Sequence, residues 1–190
     1  MCRGATLKFT PQYISDVILI EPTFQGDNRG YFIEIFRKDL FEKFLGYQVN
    51  FVQDNESKST KGVLRGLHYQ IPPYSQSKLV RVTEGKVLDI AVDIRKGSST
   101  FGEYIAIELS AENKYQLFIP FGFAHGFVVL SNSATFAYKV DNYYAPKYDR
   151  GIAFDDPKLG INWQLPLADL RLSDKDKKLP NLLDTTDLFE

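Results

Sequence analysis

An all-β fold, a double-sheet jelly roll with a few short helices, is the architecture to expect of these 190 residues. Short runs of β-branched and aromatic residues recur along most of the chain at the spacing of sandwich or barrel strands. Compact turn signals such as Glu84-Gly85 and Lys96-Gly97-Ser98-Ser99 separate many of them. Only one segment carries a clear helical stripe. At this length the default is a single domain over residues 1–190, and no repeat, low-complexity tract or linker divides the chain.

The elements can be justified in order. Asp16–Ile20 and Tyr31–Phe36 read as the first strands. In the helical segment that follows, Asp39 is the candidate cap, Leu40, Phe41, Phe44 and Leu45 form the apolar stripe, and Gly46 is the stop. Val49–Gln53 is the next strand, and the segment from Gln53 to Gln70 is unusually polar for a β-barrel strand. Lys78–Thr83 follows. Lys86–Ile94 alternates, with Leu88, Ile90, Val92 and Ile94 on one face and Asp89 and Asp93 on the other. Tyr104–Leu109, Gln116–Ile119, Phe127–Leu130 and Thr135–Val140 complete the strands. From Pro157 onward the chain is richer in Lys, Asp and Pro and is expected to wrap the core as short helices and loops.

Composition removes several functions. Lys plus Arg number 23 against 24 Asp plus Glu, a net charge of −1, so no global attraction to nucleic acid or an anionic membrane exists. No apolar run suits a signal peptide or a bilayer span, so a soluble, cytoplasmic protein is expected. One cysteine, Cys2, excludes an intrachain disulfide framework and a multi-cysteine metal site. Proton chemistry near neutral pH is therefore expected to run through His68 or His125, the only two histidines.

Two motifs frame those histidines. Gly62-Val-Leu-Arg-Gly-Leu-His68 and Pro120-Phe-Gly-Phe-Ala-His125 resemble the paired motifs of cupins, which are jelly-roll proteins. Metal-binding cupins place a second histidine where this chain has Gln70, a poor transition-metal ligand. No bound metal is expected. Arg65 and Gln70 flank His68 and favour a polar pocket over a plain core histidine. Lys78 opens the apolar run Leu79, Val80, Val82. It either lies on an exposed face or points inward at an anion or a developing oxyanion. Glu34, within an aromatic and aliphatic run, would need a partner such as Arg65 or Arg29 if buried. Both arginines could equally clamp phosphate, and no glycine-rich phosphate loop is present. Tyr138 alone would pass for a core tyrosine.

Longer blocks carry a family resemblance. Phe51-Val-Gln-Asp-Asn-Glu-Ser57, Gly62 to Gln70, Lys78-Leu-Val-Arg-Val82, Ala91-Val-Asp-Ile-Arg95, Ile119 to Phe127 and Asp156-Pro-x-x-Gly-Ile-x-Trp163 resemble the dTDP-4-dehydrorhamnose 3,5-epimerases, from about Ile20 to about Asp176. The resemblance implies a metal-free cupin homodimer needing no cofactor. It would invert C3 and C5 of dTDP-4-keto-6-deoxy-D-glucose in dTDP-L-rhamnose synthesis, a precursor route for cell-envelope polysaccharide. Carried onto this chain, His68 would be the base and Asp176 its carboxylate partner, with Asp174 two residues away as the competing choice. Tyr138 would be the acid on the opposite face and Lys78 the stabiliser of the C4 oxyanion. Arg29, Arg65, Gln53 and Asn55 would handle pyrophosphate and sugar. Phe32 and Glu34 would line the nucleotide end, partly from the neighbouring subunit, and His125 the sugar side. Where the family pattern leads one to expect tryptophan, this chain has Phe154. A C3-only epimerase would share these residues, and a silent nucleotide-sugar-binding cupin is the third reading.

Overall fold

The computed structural model describes residues 7–190; Cys2 lies outside them. The strands are β1 (Leu7–Pro11), β2 (Ile18–Pro22), β3 (Gln25–Asp27), β4 (Gly30–Phe32), β5 (Gln53–Thr60), β6 (Leu64–Gln70), β7 (Lys78–Glu84), β8 (Lys86–Asp93), β9 (Tyr104–Ser110), β10 (Gln116–Ile119), β11 (Phe123–Val129), β12 (Ser133–Val140) and β13 (Asp149–Gly151). One α-helix, α1 (Lys38–Leu45), precedes β5. Two sheets carry the fold, a six-stranded one in the order β1-β2-β10-β7-β12-β5 and a five-stranded one in the order β13-β6-β11-β8-β9. All their named strand pairs are antiparallel. This is the expected double-sheet jelly roll.

Side-chain alternation sorts the strands into three apolar layers. Val80, Val82, Val87, Ala91, Leu117, Phe127 and Phe136 meet between the sheets. On the outer face of the five-stranded sheet, Leu88, Ile90, Val92 and Ile94 pack beneath Leu159, Trp163 and Leu182 of the C-terminal segment. On the outer face of the six-stranded sheet, Ile18, Ile20, Leu79 and Phe118 pack against Phe41 of α1 and Val49.

That layering bears out the two faces read for β8 and shows that both are covered. Leu88, Ile90, Val92 and Ile94 face the C-terminal wrap, while Asp89 and Asp93, both fully buried, share the parity of Val87 and Ala91. A strand buried on both faces has no solvent side to which its carboxylates could point. The C-terminal segment itself behaves as expected, contributing short 3-10 turns at Leu167–Asp169, Asp176–Lys178 and Leu182–Asp184.

Other boundaries move for identifiable reasons. Tyr31–Phe36 is not one strand: only Gly30–Phe32 pairs, in a small hairpin with Gln25–Asp27. Downstream, Phe36 packs edge-on to Phe41 and Phe51 at 5.7 Å. Val49 and Phe51 serve the same cluster, so their hydrophobicity belongs to helix packing, and β5 begins only at Gln53. Asp39 lies inside the first turn of α1 and pairs with Arg37, the N-cap residue, without capping the helix. Gly46 does end it, in the left-handed conformation at φ 77°.

Candidate active site

Between the sheets lies a cavity of about 650 Å³, and the strands furnish it by register. On the five-stranded sheet His68 of β6 sits directly opposite His125 of β11. Beside that pair, at Gly66 and Gly126, the two strands approach too closely for a side chain, because a Cβ on Gly66 would lie 2.5 Å from the Gly126 Cα. From the six-stranded sheet Lys78 and Tyr138 enter with the parity of Val80 and Phe136, respectively. Lys78 thus points inward, and Tyr138 lines the cavity while also packing on its apolar floor.

His68 and Asp176 form a pair. The Nε2 of His68 is 2.9 Å from Asp176 Oδ1, which is only 5% exposed, leaving Nδ1 as the free ring nitrogen. Burial works against the Asp176 charge, but hydrogen bonds with His68 and Ser173 outweigh it and hold the carboxyl below its usual range. Asp174 does not compete: its side chain is 93% exposed and pairs with Lys177.

Lys78 is a perturbed base in the cavity. Burial lowers its pKa to about 8, against the opposing pull of Asp149 and Asp89, and its Nζ donates to the His68 carbonyl at 3.2 Å. Burial raises the Tyr138 phenol. It likewise raises Asp89 and lowers His125, whose Nε2 lies 3.0 Å from Asp89 Oδ2.

The remaining expected residues divide into two groups. Asn55 and Arg65 line the cavity, while Gln53 reaches it only indirectly, by donating to Asn55 Oδ1 at 2.7 Å. Arg65 donates Nε to Ser59 Oγ at 3.2 Å, and among the described residues no carboxylate pairs with it. Arg29, Phe32 and Glu34 do not line this chain's cavity. Arg29 pairs with Asp27 on the exposed hairpin, and Phe32 is 64% exposed. The partner expected for Glu34 was Arg65 or Arg29; it is Arg37, at 3.7 Å. Phe154 packs with the C-terminal wrap outside the cavity, and its carbonyl accepts the Trp163 indole N–H at 2.9 Å.

Sequence reasoning missed four lining or supporting groups: Asp89, Arg171, Ser173 and Lys175. A lone carboxylate inside the apolar run Val87 to Val92 was the available signal for Asp89. The others arrive on the segment leading to Asp176, which carries no strand pattern. Gln70, the departure from the metal-binding cupin motif, serves structure: its amide donates to the Tyr74 carbonyl and accepts from the Ala145 N–H.

Fold and site together define a class: a jelly-roll protein whose inter-sheet cavity carries a histidine–carboxylate pair on one wall and a lysine and a phenol on the other. The chain belongs to the dTDP-4-dehydrorhamnose 3,5-epimerase family, whose profile it matches over residues 11–184. It is 56% identical to the dTDP-4-dehydrorhamnose 3,5-epimerase of Shigella flexneri over 163 residues, covering 86% of this chain and 89% of the relative. The crystal structure of a dTDP-4-dehydrorhamnose 3,5-epimerase from Elizabethkingia anophelis superposes with a TM-score of 0.91 at 49% identity, covering 94% of this chain and 98% of that one. A dTDP-6-deoxy-D-glucose-3,5-epimerase from Legionella pneumophila, solved in complex with dTDP-4-keto-L-rhamnose, superposes with a TM-score of 0.89 at 48% identity, over 94% of each chain.

Proposed function

We propose that this chain inverts C3 and C5 of dTDP-4-dehydro-6-deoxy-D-glucose, giving dTDP-4-dehydro-L-rhamnose in dTDP-L-rhamnose synthesis. Beyond family membership, one observation carries the reading: His68 and Tyr138 line a single cavity from opposite sheets. Inversion at carbon requires a proton to leave one face and another to arrive at the opposite face. Both reacting carbons are α to the C4 ketone, so loss of either proton gives an enolate with charge on O4. His68 takes the proton on its free ring nitrogen while Asp176 fixes the tautomer and stabilises the imidazolium. The Lys78 ammonium stabilises the enolate oxygen. Tyr138, held protonated by burial, delivers the new proton to the opposite face. His125, with its ring held by Asp89, shapes the sugar side. Arg65, Asn55 and, through Asn55, Gln53 face the pyrophosphate and sugar. No cofactor takes part, because electrons and atoms balance through proton transfer alone.

The reaction is read directly in heavy water. Product labelled at both C3 and C5 is the expected result; label confined to C3 would establish a C3-only epimerase, and none a silent binding protein.

A second copy completes the site in this reading. The β3–β4 hairpin projects Tyr31 and Phe32 at 59% and 64% exposure, with Phe24 beside Tyr31 at 5.8 Å between ring centroids. Exposed aromatics of that size call for a cover. A homodimer supplies it, placing Arg29, Phe32 and Glu34 at the nucleotide end of the partner's cavity. Sedimentation at micromolar concentration should give a dimer; a monomer would refute this assembly. We place the enzyme in the cytoplasm in this reading, and the near-neutral charge supports an enzyme without nucleic-acid or membrane partners. Among the described residues, no helix is long and apolar enough to cross a membrane.

A further inference from the structure

One sequence motif is not used by this mechanism. Asp156-Pro-x-x-Gly-Ile-x-Trp163 lies on the outer face of the five-stranded sheet, away from the cavity. Its structure is a closed loop: the Leu159 and Gly160 amides bond back to the Asp156 carbonyl, and the Trp163 indole holds the Phe154 carbonyl. What the loop presents is the Asp156 carboxylate, 3% exposed, which accepts the Leu182 N–H at 2.7 Å and the Lys158 N–H at 2.9 Å.

Leu182 follows Asp176 by six residues, and the stretch between them is fastened to the same segment at two further points. The Ala153 N–H donates to the Pro180 carbonyl at 2.8 Å. Leu179 lies over Gly151, where an added Cβ would come within 2.7 Å of both Leu179 Cδ1 and the Leu67 carbonyl. Gly151 in turn is the β13 residue registered opposite His68, and Ile152 exchanges backbone hydrogen bonds with Leu67. A ring of contacts therefore runs from His68 on β6, across β13, through the Asp156 loop and the 179–182 strap, and back to Asp176.

We infer that Asp156, with Gly151, is a positioning residue that clamps the C-terminal strap so that Asp176 stays on His68. The inference rests on the proposed role of His68 as base. Asp156 touches neither substrate nor the reacting atoms. Its buried carboxylate holds an otherwise unpaired buried amide, and losing it frees the strap to move Asp176 off the ring. A displacement of about 1 Å at such a pair costs roughly 10²-fold in rate.

The test is the hydrogen bond between His68 Nε2 and Asp176 in the full-length protein, read from the ring nitrogens by imidazole NMR; with two histidines in the chain, His125 serves as the internal reference. The other charged and titratable groups around the cavity, Glu56, Arg65, Lys78, His125, Tyr138, Asp149, Arg171 and Lys175, are unaltered by the substitution. Asp156→Ala should weaken the hydrogen-bonded signature of His68 Nε2, as Asp176→Asn does. It should cut kcat by roughly 10²-fold with KM within about twofold, because substrate groups are untouched. In the double variant the kcat loss should not exceed that of Asp176→Asn alone, since one pair is being broken twice. Asp156→Asn, which keeps one acceptor oxygen, should recover most of the rate and of the His68 hydrogen-bond signature. Gly151→Ala, whose Cβ would lie 2.7 Å from Leu179 Cδ1, is the second disrupting variant if Asp156→Ala does not fold. Asp156→Ala, or Gly151→Ala in its place, folded with the wild-type His68 signature, or losses that multiply in the double variant, would overturn the assignment. This readout does not depend on turnover, so a wild-type protein without epimerase activity would refute the proposed reaction and leave this test standing.

Discussion

His68→Ala should abolish solvent exchange at both C3 and C5 while leaving dTDP binding intact. In the proposed mechanism the single ring serves both carbons, each proton leaving toward the wall that His68 occupies. Removing a positioned base costs about 10²–10⁴-fold. The partner carboxylate should not rescue the rate, because Asp176 is buried behind the ring and held in its ionised form. Calorimetry with dTDP and mass analysis of recovered sugar check the two halves. A variant that binds dTDP and still labels both carbons would mean that another group is the base.

Lys78→Met should move activity and stability in opposite directions. The ammonium is held in the cavity against its hydration, with its pKa lowered to about 8 by burial. A cation whose folded pKa lies below its unfolded value of 10.5 destabilises the fold wherever it is protonated. That cost is fully present below pH 8 and disappears as pH rises from the folded value toward the unfolded one. A shift of this size corresponds to roughly 3 kcal/mol, at one pKa unit per about 1.4 kcal/mol. Methionine keeps much of the volume and removes the charge, so denaturant titration at pH 7 should show a gain of about 1–3 kcal/mol. Turnover should fall at least 10²-fold, the loss seen when one oxyanion donor is removed. In the wild type, kcat/KM should decline above about pH 8 as Lys78 deprotonates, and the variant's residual rate should lack that limb. Equal stability of the two proteins at pH 7 would contradict the burial argument. An unchanged alkaline limb would contradict the assignment of that limb to Lys78.

Much of this site is legible in the amino-acid sequence alone. Lys78 and Tyr138 sit on strands whose runs announce themselves, and His68 is marked by its motif and polar neighbours. The runs leave Lys78 exposed or inward and Tyr138 a plain core tyrosine; the register of the two sheets settles where each side chain points. The polar density of residues 53–70 also marks the cavity wall correctly. β5 is almost wholly polar because its inner face borders the cavity and its outer face meets water. Three features resist such a reading. Alternation puts Asp89 on the face of β8 opposite Leu88 and Ile90, but it does not show that this face borders the inter-sheet cavity while a distant segment covers the other. The hydrophobicity of Ile33 to Phe36 and of Val49 to Phe51 records packing around Phe41, and local pattern cannot distinguish that from strand pairing. Asp176 lies 108 residues from His68 on an irregular segment, where no periodicity links a carboxylate to its partner. Arg171, Ser173 and Lys175 escape for the same reason. Family resemblance places Asp176, and geometry then separates it from Asp174.

Protons are expected to leave toward one sheet and arrive from the other, and Tyr138→Phe in heavy water tests that most directly. With His68 intact, the C5 proton should still be removed, exchanged on the imidazole and returned to its original face. Recovered substrate should therefore carry deuterium at C5 faster than inverted product accumulates. If instead the variant inverts C5 at the wild-type rate, or fails to exchange at all, Tyr138 is not the opposite-face acid and the two-wall mechanism is wrong.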